Sequence, residues 1–184
     1  MKDDYKPWEE YPEIWKTEGQ FWTYLRGSLR RALWMRSPIK LTYKKGQMIK
    51  PPSDYEGRGK SGAYCALTGE FINNSALEVD HIEGNVSLSS WEDVLPFILH
   101  LVPPKGSMQL VSKEAHKIKS YADKHKLTFE EAKVEKVVIE RMKQSVGDQK
   151  EELLIAGFEE GEISNHKNRR ECYRVAFNQY LEGN

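Results

Sequence analysis

The chain of 184 residues contains two cysteines, Cys65 and Cys172. Two thiols cannot build a disulfide framework or a four-thiolate zinc site by themselves, so we read both as reduced. The sequence also lacks long apolar runs: the longest, residues 94–102, is interrupted by Pro96 and His100 and falls short of the roughly 20 residues that span a bilayer. These shortages exclude a disulfide-stapled protein and predict one without a membrane partner.

The amino terminus lacks the apolar stretch and small-residue cleavage site of a secretory signal, which gives the expectation of a cytoplasmic protein. The formal net charge is zero, because 28 Lys and Arg residues balance 28 Asp and Glu residues. Aromatic residues are plentiful, with five Trp, nine Tyr and six Phe. Disordered segments usually lack such groups, so we predict a folded domain or a small core with helical additions.

The zero net charge conceals segregated charges. Residues 19–53 carry eight Lys and Arg residues and no acid, and residues 61–104 carry six acids and no Lys or Arg. Residues 105–126 are basic again, with six Lys against two acids. This order fits basic flanks that hold a polyanion around carboxylates that bind a metal ion. Alternatively, each segment is a solvated face balanced by its neighbours in the fold.

Hydrophobic periodicity and turn residues predict a mixture of helices and short strands, an α+β fold. The predicted helices cover residues 11–34, 91–102, 112–125, 128–146 and 165–181. The predicted strands cover residues 39–43, 63–67 and 76–82, of which the last two look like a hairpin. Ser89 or Ser90 is the predicted cap of the second helix, and Thr128 with Glu131 forms a predicted capping box.

Residues that can carry chemistry occur in two short segments. Residues 77–82 (LEVDHI) are strand-like and set Asp80 beside His81. Neighbouring side chains of a strand point to opposite faces, so both can reach one atom only if the strand ends or bends. The second segment is a short apolar run that leads into a helix bearing His116.

Residues 64–70 (YCALTGE), 78–82 (EVDHI) and 110–117 (LVSKEAHK) together resemble the HNH endonuclease superfamily, particularly the small HNH proteins of tailed phages. The resemblance covers about residues 64–126. It implies a small ββα-metal core, made of a β-hairpin plus a helix, with helical N- and C-terminal extensions. The implied division is a Trp-rich basic helical segment and linker over residues 1–62, the nuclease core over 63–126, and a helical extension over 127–184.

The resemblance further implies that Asp80 and His116 are metal ligands and that His81 is the general base that activates water. A carboxylate and an imidazole suit a divalent ion, with Mg²⁺ expected first and Mn²⁺ second. A neutral histidine accepts a proton from water near physiological pH. No structural zinc is expected, because the positions of the family's two CxxC pairs are occupied by Cys65, Thr68, Ser112 and Ala115.

One departure from the family pattern is Ser107, at the position where an asparagine holds the loop and orients the base. Asn85 lies close to the motif and is a second candidate for that support. The spacing between His81 and Ser107 is longer than in compact members, which we read as an insertion over the site. His100 in this insertion is expected to be an ordinary helix histidine.

The leading hypothesis is a phage-encoded, metal-dependent DNA endonuclease that acts in the host cytoplasm. The predicted DNA-binding residues are Arg26, Arg30, Arg31, Lys44, Lys45, Lys117 and Lys119. A non-catalytic DNA-binding or packaging-associated module on the same fold is the alternative, favoured by Ser107. An RNA-directed nuclease is a third possibility, because basic residues bind the phosphates of either polymer. One centre makes a nick the natural product of a monomer, but the oligomeric state stays open.

Overall fold

A computed structural model describes residues 5–84 and 86–182 and shows a mixture of helices and strands, which confirms the α+β class. The chain divides into two units, Met1–His116 and Lys117–Asn184. The division predicted from sequence places its boundaries elsewhere and stays a prediction. Among the described residues, no helix combines the length and apolar character needed to cross a bilayer.

The N-terminal part of the first unit is helical, in shorter pieces than predicted. It contains α1 (Pro7–Glu10), α2 (Glu18–Leu29), a π-helical segment (Arg30–Met35) and α3 (Pro38–Gly46). The single helix predicted over residues 11–34 is wrong in its start, because the Thr17 side chain accepts a hydrogen bond from the Gln20 backbone N–H and begins α2 there.

The strand predicted over residues 39–43 is wrong, because these residues lie in α3. Ser37 is the N-cap of that helix, and its hydroxyl accepts a hydrogen bond from the Lys40 backbone N–H. Pro38 occupies the first helical position, where its fixed φ suits a helix and its missing N–H costs nothing. The Ser37-Pro38 pair therefore starts a new helix.

Four strands lie within the described residues. β1 (Gly62–Tyr64) pairs with β2 (Phe71–Asn73), and β3 (Leu77–His81) pairs with β4 (Met108–Ser112), both antiparallel. The predicted hairpin between residues 63–67 and 76–82 is wrong. Gly69, at φ 70°, sits in the turn that reverses the chain into β2. Asn73 then accepts hydrogen bonds from the Ser75 and Ala76 backbone and turns the chain away before β3 begins.

A short helix, α4 (Val94–Leu101), lies between β3 and β4 in sequence and is shorter than predicted. The predicted serine cap is also wrong, because the Asp93 carboxylate accepts hydrogen bonds from the Ser89 and Ser90 backbone N–H groups. These bonds, chiefly the one from Ser89, hold the pKa of Asp93 below its ordinary value. After β4 the chain enters α5 (Lys113–His125), and the Ser112 hydroxyl accepts a hydrogen bond from the Ala115 backbone N–H in its first turn.

Two apolar clusters form the core of the first unit. An aromatic cluster joins α2 to α4 and consists of Phe21, Trp22, Leu88, Phe97 and Leu101. A sheet cluster consists of Ala63, Leu77, Val79, Met108 and Leu110. Trp34, from the π-helical segment, packs against both clusters. The insertion between β3 and β4 is therefore anchored to the N-terminal helices through buried side chains.

The second unit contains α6 (Phe129–Arg141), α7 (Val146–Ile155) and α8 (His166–Glu182). The capping box of Thr128 and Glu131 is confirmed. The predicted end of that helix near residue 146 is wrong, because Ser145 caps a separate helix, α7, that the sequence analysis missed. The final helix lies within one residue of its predicted limits.

Glu135 of α6 ties this helix to α8 by hydrogen bonds from Arg174 and Arg170. The bond from Arg174 and the charge of both guanidinium groups hold the pKa of Glu135 below its ordinary value of 4.5. Ionised Glu135 therefore stabilises the fold at pH values above 4.5, and this contribution is lost as the pH falls through the lowered pKa.

We expect Glu135→Gln to lower the free energy of unfolding by about 2 kcal/mol near neutral pH. The difference from the wild type should shrink at an acidic pH below the lowered pKa of Glu135, where the carboxyl is protonated in both states. Thermal unfolding followed by circular dichroism at both pH values measures this. Glu140→Gln, which breaks an exposed pair with Lys143, is the control. An equal loss at both pH values would contradict the electrostatic explanation.

Candidate active site

Alternation along β3 places its polar side chains on one face. Leu77 and Val79 are buried in the sheet cluster, so Glu78 and Asp80 point to the other side of the strand. The strand register pairs Asp80 with Gln109 of β4, whose side-chain amide donates to Asp80 Oδ2 over 3.3 Å. Asp80 itself is buried, with 8% of its surface exposed. The sheet thus holds a carboxylate in a defined position.

The first turn of α5 brings His116 to this face. His116 Nδ1 lies 2.7 Å from Glu78 Oε2, and His116 Nε2 lies 3.5 Å from Asp80 Oδ1. A carboxylate only accepts hydrogen bonds, so a protonated ring donates from Nδ1 to Glu78 and from Nε2 to Asp80. In the neutral ring Nδ1–H donates to Glu78 and the Nε2 lone pair faces Asp80, and a cation shared by Nε2 and the carboxylate stabilises that arrangement.

The spacing of these two donors suits a small divalent ion. Bonds of about 2.1 Å to one Mg²⁺ ion separate neighbouring ligand atoms by about 3 Å and opposite ones by about 4 Å, and the 3.5 Å observed lies between these limits. Within residues 5–84 and 86–182, no group of three or more His, Cys, Asp and Glu side chains is arranged around a common point. Mg²⁺ is commonly held by one or two protein ligands, with waters and phosphate oxygens completing its shell.

Glu78 is the part of this site that the sequence analysis missed. The signal was available, because residues two apart in a strand share a face and Glu78 therefore accompanies Asp80. Histidine ligands of metals usually donate their second ring N–H to a carboxylate, which fixes the tautomer and the ring orientation. Glu78 makes this contact with His116.

We expect Glu78→Gln to weaken Mn²⁺ binding by about 10- to 100-fold, because the amide no longer fixes the His116 tautomer as a carboxylate does. Isothermal titration of the metal-free protein with Mn²⁺ measures the affinity. Glu83→Gln, at an exposed position shortly after β3, is the matched control and should bind Mn²⁺ like the wild type. Unchanged affinity in Glu78→Gln would remove Glu78 from the site.

His81, the last residue of β3, is buried among a different set of groups. Its ring stacks on Trp34 and on His100, with centroids 4.0 Å and 3.9 Å apart. Its Nε2 lies 2.8 Å from the backbone carbonyl oxygen of His100, near the C-terminal end of α4. A carbonyl cannot donate, so Nε2 carries the proton and Nδ1 carries the lone pair in the neutral ring. His100 is thus a partner of His81 and more than an ordinary helix histidine.

The end of β3 determines how Asp80 and His81 are arranged. The two side chains leave opposite faces of the strand, as the sequence predicts for adjacent residues. One further backbone bond, from Ile82 N–H to the Ser107 carbonyl oxygen, continues the β3–β4 pairing beyond His81. Ser107 therefore supports the site through its backbone. Asn85, the second predicted support, lies outside the described residues.

Two of the predicted DNA-binding residues have structural roles. Arg26 donates to the Leu88 carbonyl oxygen, and Lys44 donates to the carbonyl oxygens of Asn74 and Leu77. These bonds fasten α2 to the insertion and α3 to the start of β3. Both residues serve the fold, whatever they contribute to binding.

Four of the remaining five predicted DNA-binding residues are exposed. Arg30 is exposed and lies over the Phe97 ring, and exposed Arg31 donates to the Ser28 hydroxyl. Lys45 and Lys117 are exposed, whereas Lys119 pairs with Asp123 within the second unit. Their role in binding stays a prediction.

Three of the four residues at the family's CxxC positions, Cys65, Thr68 and Ser112, are joined by hydrogen bonds. Cys65 Sγ accepts a hydrogen bond from the Ser112 backbone N–H over 3.3 Å. Burial raises the pKa of the Cys65 thiol, but the bonds from Thr68 and Ser112 outweigh burial and leave it below its ordinary value. Hydrogen bonds therefore join the β1–β2 turn to the start of α5.

No protein-family model, no curated protein and no solved structure matches the chain. The geometry of Glu78, Asp80, His81 and His116 is accordingly the basis for any functional conclusion.

Proposed function

We propose that this protein is a metal-dependent endonuclease that hydrolyses phosphodiester bonds in DNA. The observation that carries the proposal is the pair of donors, Asp80 Oδ1 and His116 Nε2, facing each other 3.5 Å apart while Glu78 holds His116. With His116 neutral, a divalent cation between the two atoms would satisfy both lone pairs.

Asp80 and His116 would hold the metal in this proposal, and Glu78 and Gln109 orient them. A bound divalent ion would supply Lewis-acid stabilisation of the charge on the phosphate and its leaving oxygen. The order of β3, β4 and α5, with Asp80 on the first strand and His116 on the helix, supports the ββα-metal core suggested by the resemblance. α4 and its flanking loops are then the insertion between the two strands.

We assign His81 as the general base, a role that requires the end of β3 to bring its ring toward the phosphate on the Asp80 side of the strand. Its Nδ1 lone pair accepts a proton from the attacking water, whose oxygen forms a bond to phosphorus. The phosphorus–oxygen bond to the leaving sugar breaks, and that oxygen takes a proton from solvent. The carbonyl of His100 accepts from Nε2–H throughout. Because this carbonyl lies at the negative end of α4, it stabilises the positive ring that results.

The proposal is tested with purified protein and supercoiled plasmid in Mg²⁺, Mn²⁺ or EDTA. We expect conversion to the nicked form with either metal and intact plasmid in EDTA. Linear product from the first turnover would instead indicate two cooperating subunits. A labelled RNA in parallel distinguishes the polymers, and faster cleavage of RNA would overturn the assignment to DNA.

Intact plasmid with both metals would overturn the endonuclease. A mobility shift of the same DNA would then support the alternative of a non-catalytic binding module, and Ser107 would be the first residue to replace with asparagine.

A further inference from the structure

Lys40 is a cation beside the site that neither the motif nor the predicted DNA-binding set includes. It lies in the first turn of α3, on the same side as Tyr43 and Lys44 because residues three and four apart share a helix face. Tyr43 donates its hydroxyl to the Met108 carbonyl oxygen at the start of β4, over 2.8 Å. Lys44 donates to the Leu77 carbonyl oxygen at the start of β3, over 2.7 Å. This face of α3 is therefore fixed to both strands.

The surroundings of Lys40 link it both to His81 and to the group of Glu78, Asp80 and His116. Its ammonium lies 4.7 Å from the centroid of the Trp34 ring, and Trp34 stacks on His81. Lys40 also interacts electrostatically with the carboxylates of Glu78 and Asp80. Burial and the neighbouring Lys44 ammonium lower the pKa of Lys40, and the two carboxylates act in the opposite direction without restoring it to its ordinary value.

Charge balance shows what such a cation can do. The carboxylates of Glu78 and Asp80 together offset the charge of a divalent ion, so the loaded site has no surplus positive charge for a phosphodiester. The phosphate brings a negative charge, and its oxygens gain more as water attacks. A fixed, partly desolvated cation stabilises that charge more strongly than one surrounded by water.

We propose that Lys40 is a catalytic residue that contacts a non-bridging oxygen of the scissile phosphate, held in place by Trp34 and by the attachment of α3 to β3 and β4. This inference rests on the proposed function and extends it by one residue. Lys40 donates hydrogen bonds and transfers no proton, so the balance of the hydrolysis is unchanged. Its contribution is to stabilise the phosphate charge that develops during attack.

The test compares Lys40→Met, which keeps the apolar stem over Trp34, with Lys40→Arg, which keeps the charge. Lys16→Met, at an exposed lysine of the same unit, is the matched control. We expect single-turnover plasmid cleavage to fall about 100-fold in Lys40→Met. Lys40→Arg should recover most of the loss, and Lys16→Met should behave like the wild type. Mn²⁺ affinity, measured by titration calorimetry, should be unchanged or tighter in Lys40→Met.

A second measurement detects the phosphate contact without catalysis. DNA affinity is measured in EDTA over a range of salt concentrations, and loss of one phosphate contact should reduce the slope of log affinity against log salt by about 0.9. A purely structural role would leave this slope unchanged.

Three outcomes overturn the inference. If the wild type cleaves and Lys40→Met cleaves equally well, the role of Lys40 falls while the endonuclease stands. If Lys40→Met loses cleavage and Mn²⁺ binding together, or keeps the wild-type salt slope, Lys40 only supports the fold. If the wild type cleaves nothing with either metal, the endonuclease and the role of Lys40 fall together.

Discussion

Replacement of His81 by alanine is expected to lower the single-turnover cleavage rate by about 10³-fold, within the range found for loss of a general base. The attacking water then has no positioned acceptor for its proton. Mn²⁺ affinity should stay at the wild-type level, because Asp80 and His116 remain on the other face of β3. Cleavage of supercoiled plasmid and calorimetric titration with Mn²⁺ measure the two quantities on the same preparation.

The His81 ring is buried between Trp34 and His100, so alanine also removes packing. A second variant, His81→Gln, retains a side-chain donor for the His100 carbonyl while lacking a basic nitrogen. It should be as inactive as alanine and closer to the wild type in thermal stability. His125→Ala, at an exposed helix position, controls for loss of any histidine. Full activity in His81→Gln would show that another group takes the proton.

Asp80→Asn is expected to abolish cleavage and to weaken Mn²⁺ binding by more than the 10- to 100-fold loss expected for Glu78→Gln. Asparagine keeps the shape and the hydrogen-bonding capacity toward Gln109 but removes the negative charge that a divalent ion requires. Asp54→Asn, at an exposed loop position, should leave both properties unchanged. Wild-type Mn²⁺ affinity in Asp80→Asn would contradict the metal site directly.

His116→Ala gives an independent check on the same ion. If Asp80 and His116 share one metal, the double variant should bind Mn²⁺ hardly more weakly than the worse single variant, because residues that act as a unit are not additive. Additive losses would indicate two separate sites. His81→Ala should lose cleavage and keep Mn²⁺ affinity, whereas His116→Ala should lose both, so comparing them distinguishes the general base from the metal ligands.

The local features of the fold were predictable from the sequence where short-range chemistry determines them. The capping box at Thr128, the start of α5 after Ser112 and the limits of α8 all depend on residues within one helical turn of each other. The strand bearing Asp80 and His81 was also predictable, because its apolar residues alternate.

The strand pairing was not predictable, because β3 pairs with a strand that lies beyond α4 and local patterns do not encode such distant partners. Residues 39–43 were predicted as a strand, but the Ser37 cap and Pro38 make them part of α3. Lys40 was missed for the same reason, since only a helix places it on one face with Tyr43 and Lys44. The motif itself identified Asp80, His81 and His116, of which the structure brings Asp80 and His116 together.

The hydrogen bond from His81 is made to the backbone carbonyl of His100. This determines which features of the insertion, residue identity or helix length, the contact constrains. Any amino acid at position 100 presents the same carbonyl, so the identity of that residue is under little constraint from this contact. The length of α4 is constrained instead, because one inserted or deleted residue would rotate the carbonyl by about 100° around the helix axis. Proteins that share this site should therefore keep the register of α4 with β3 even where the residue at position 100 differs.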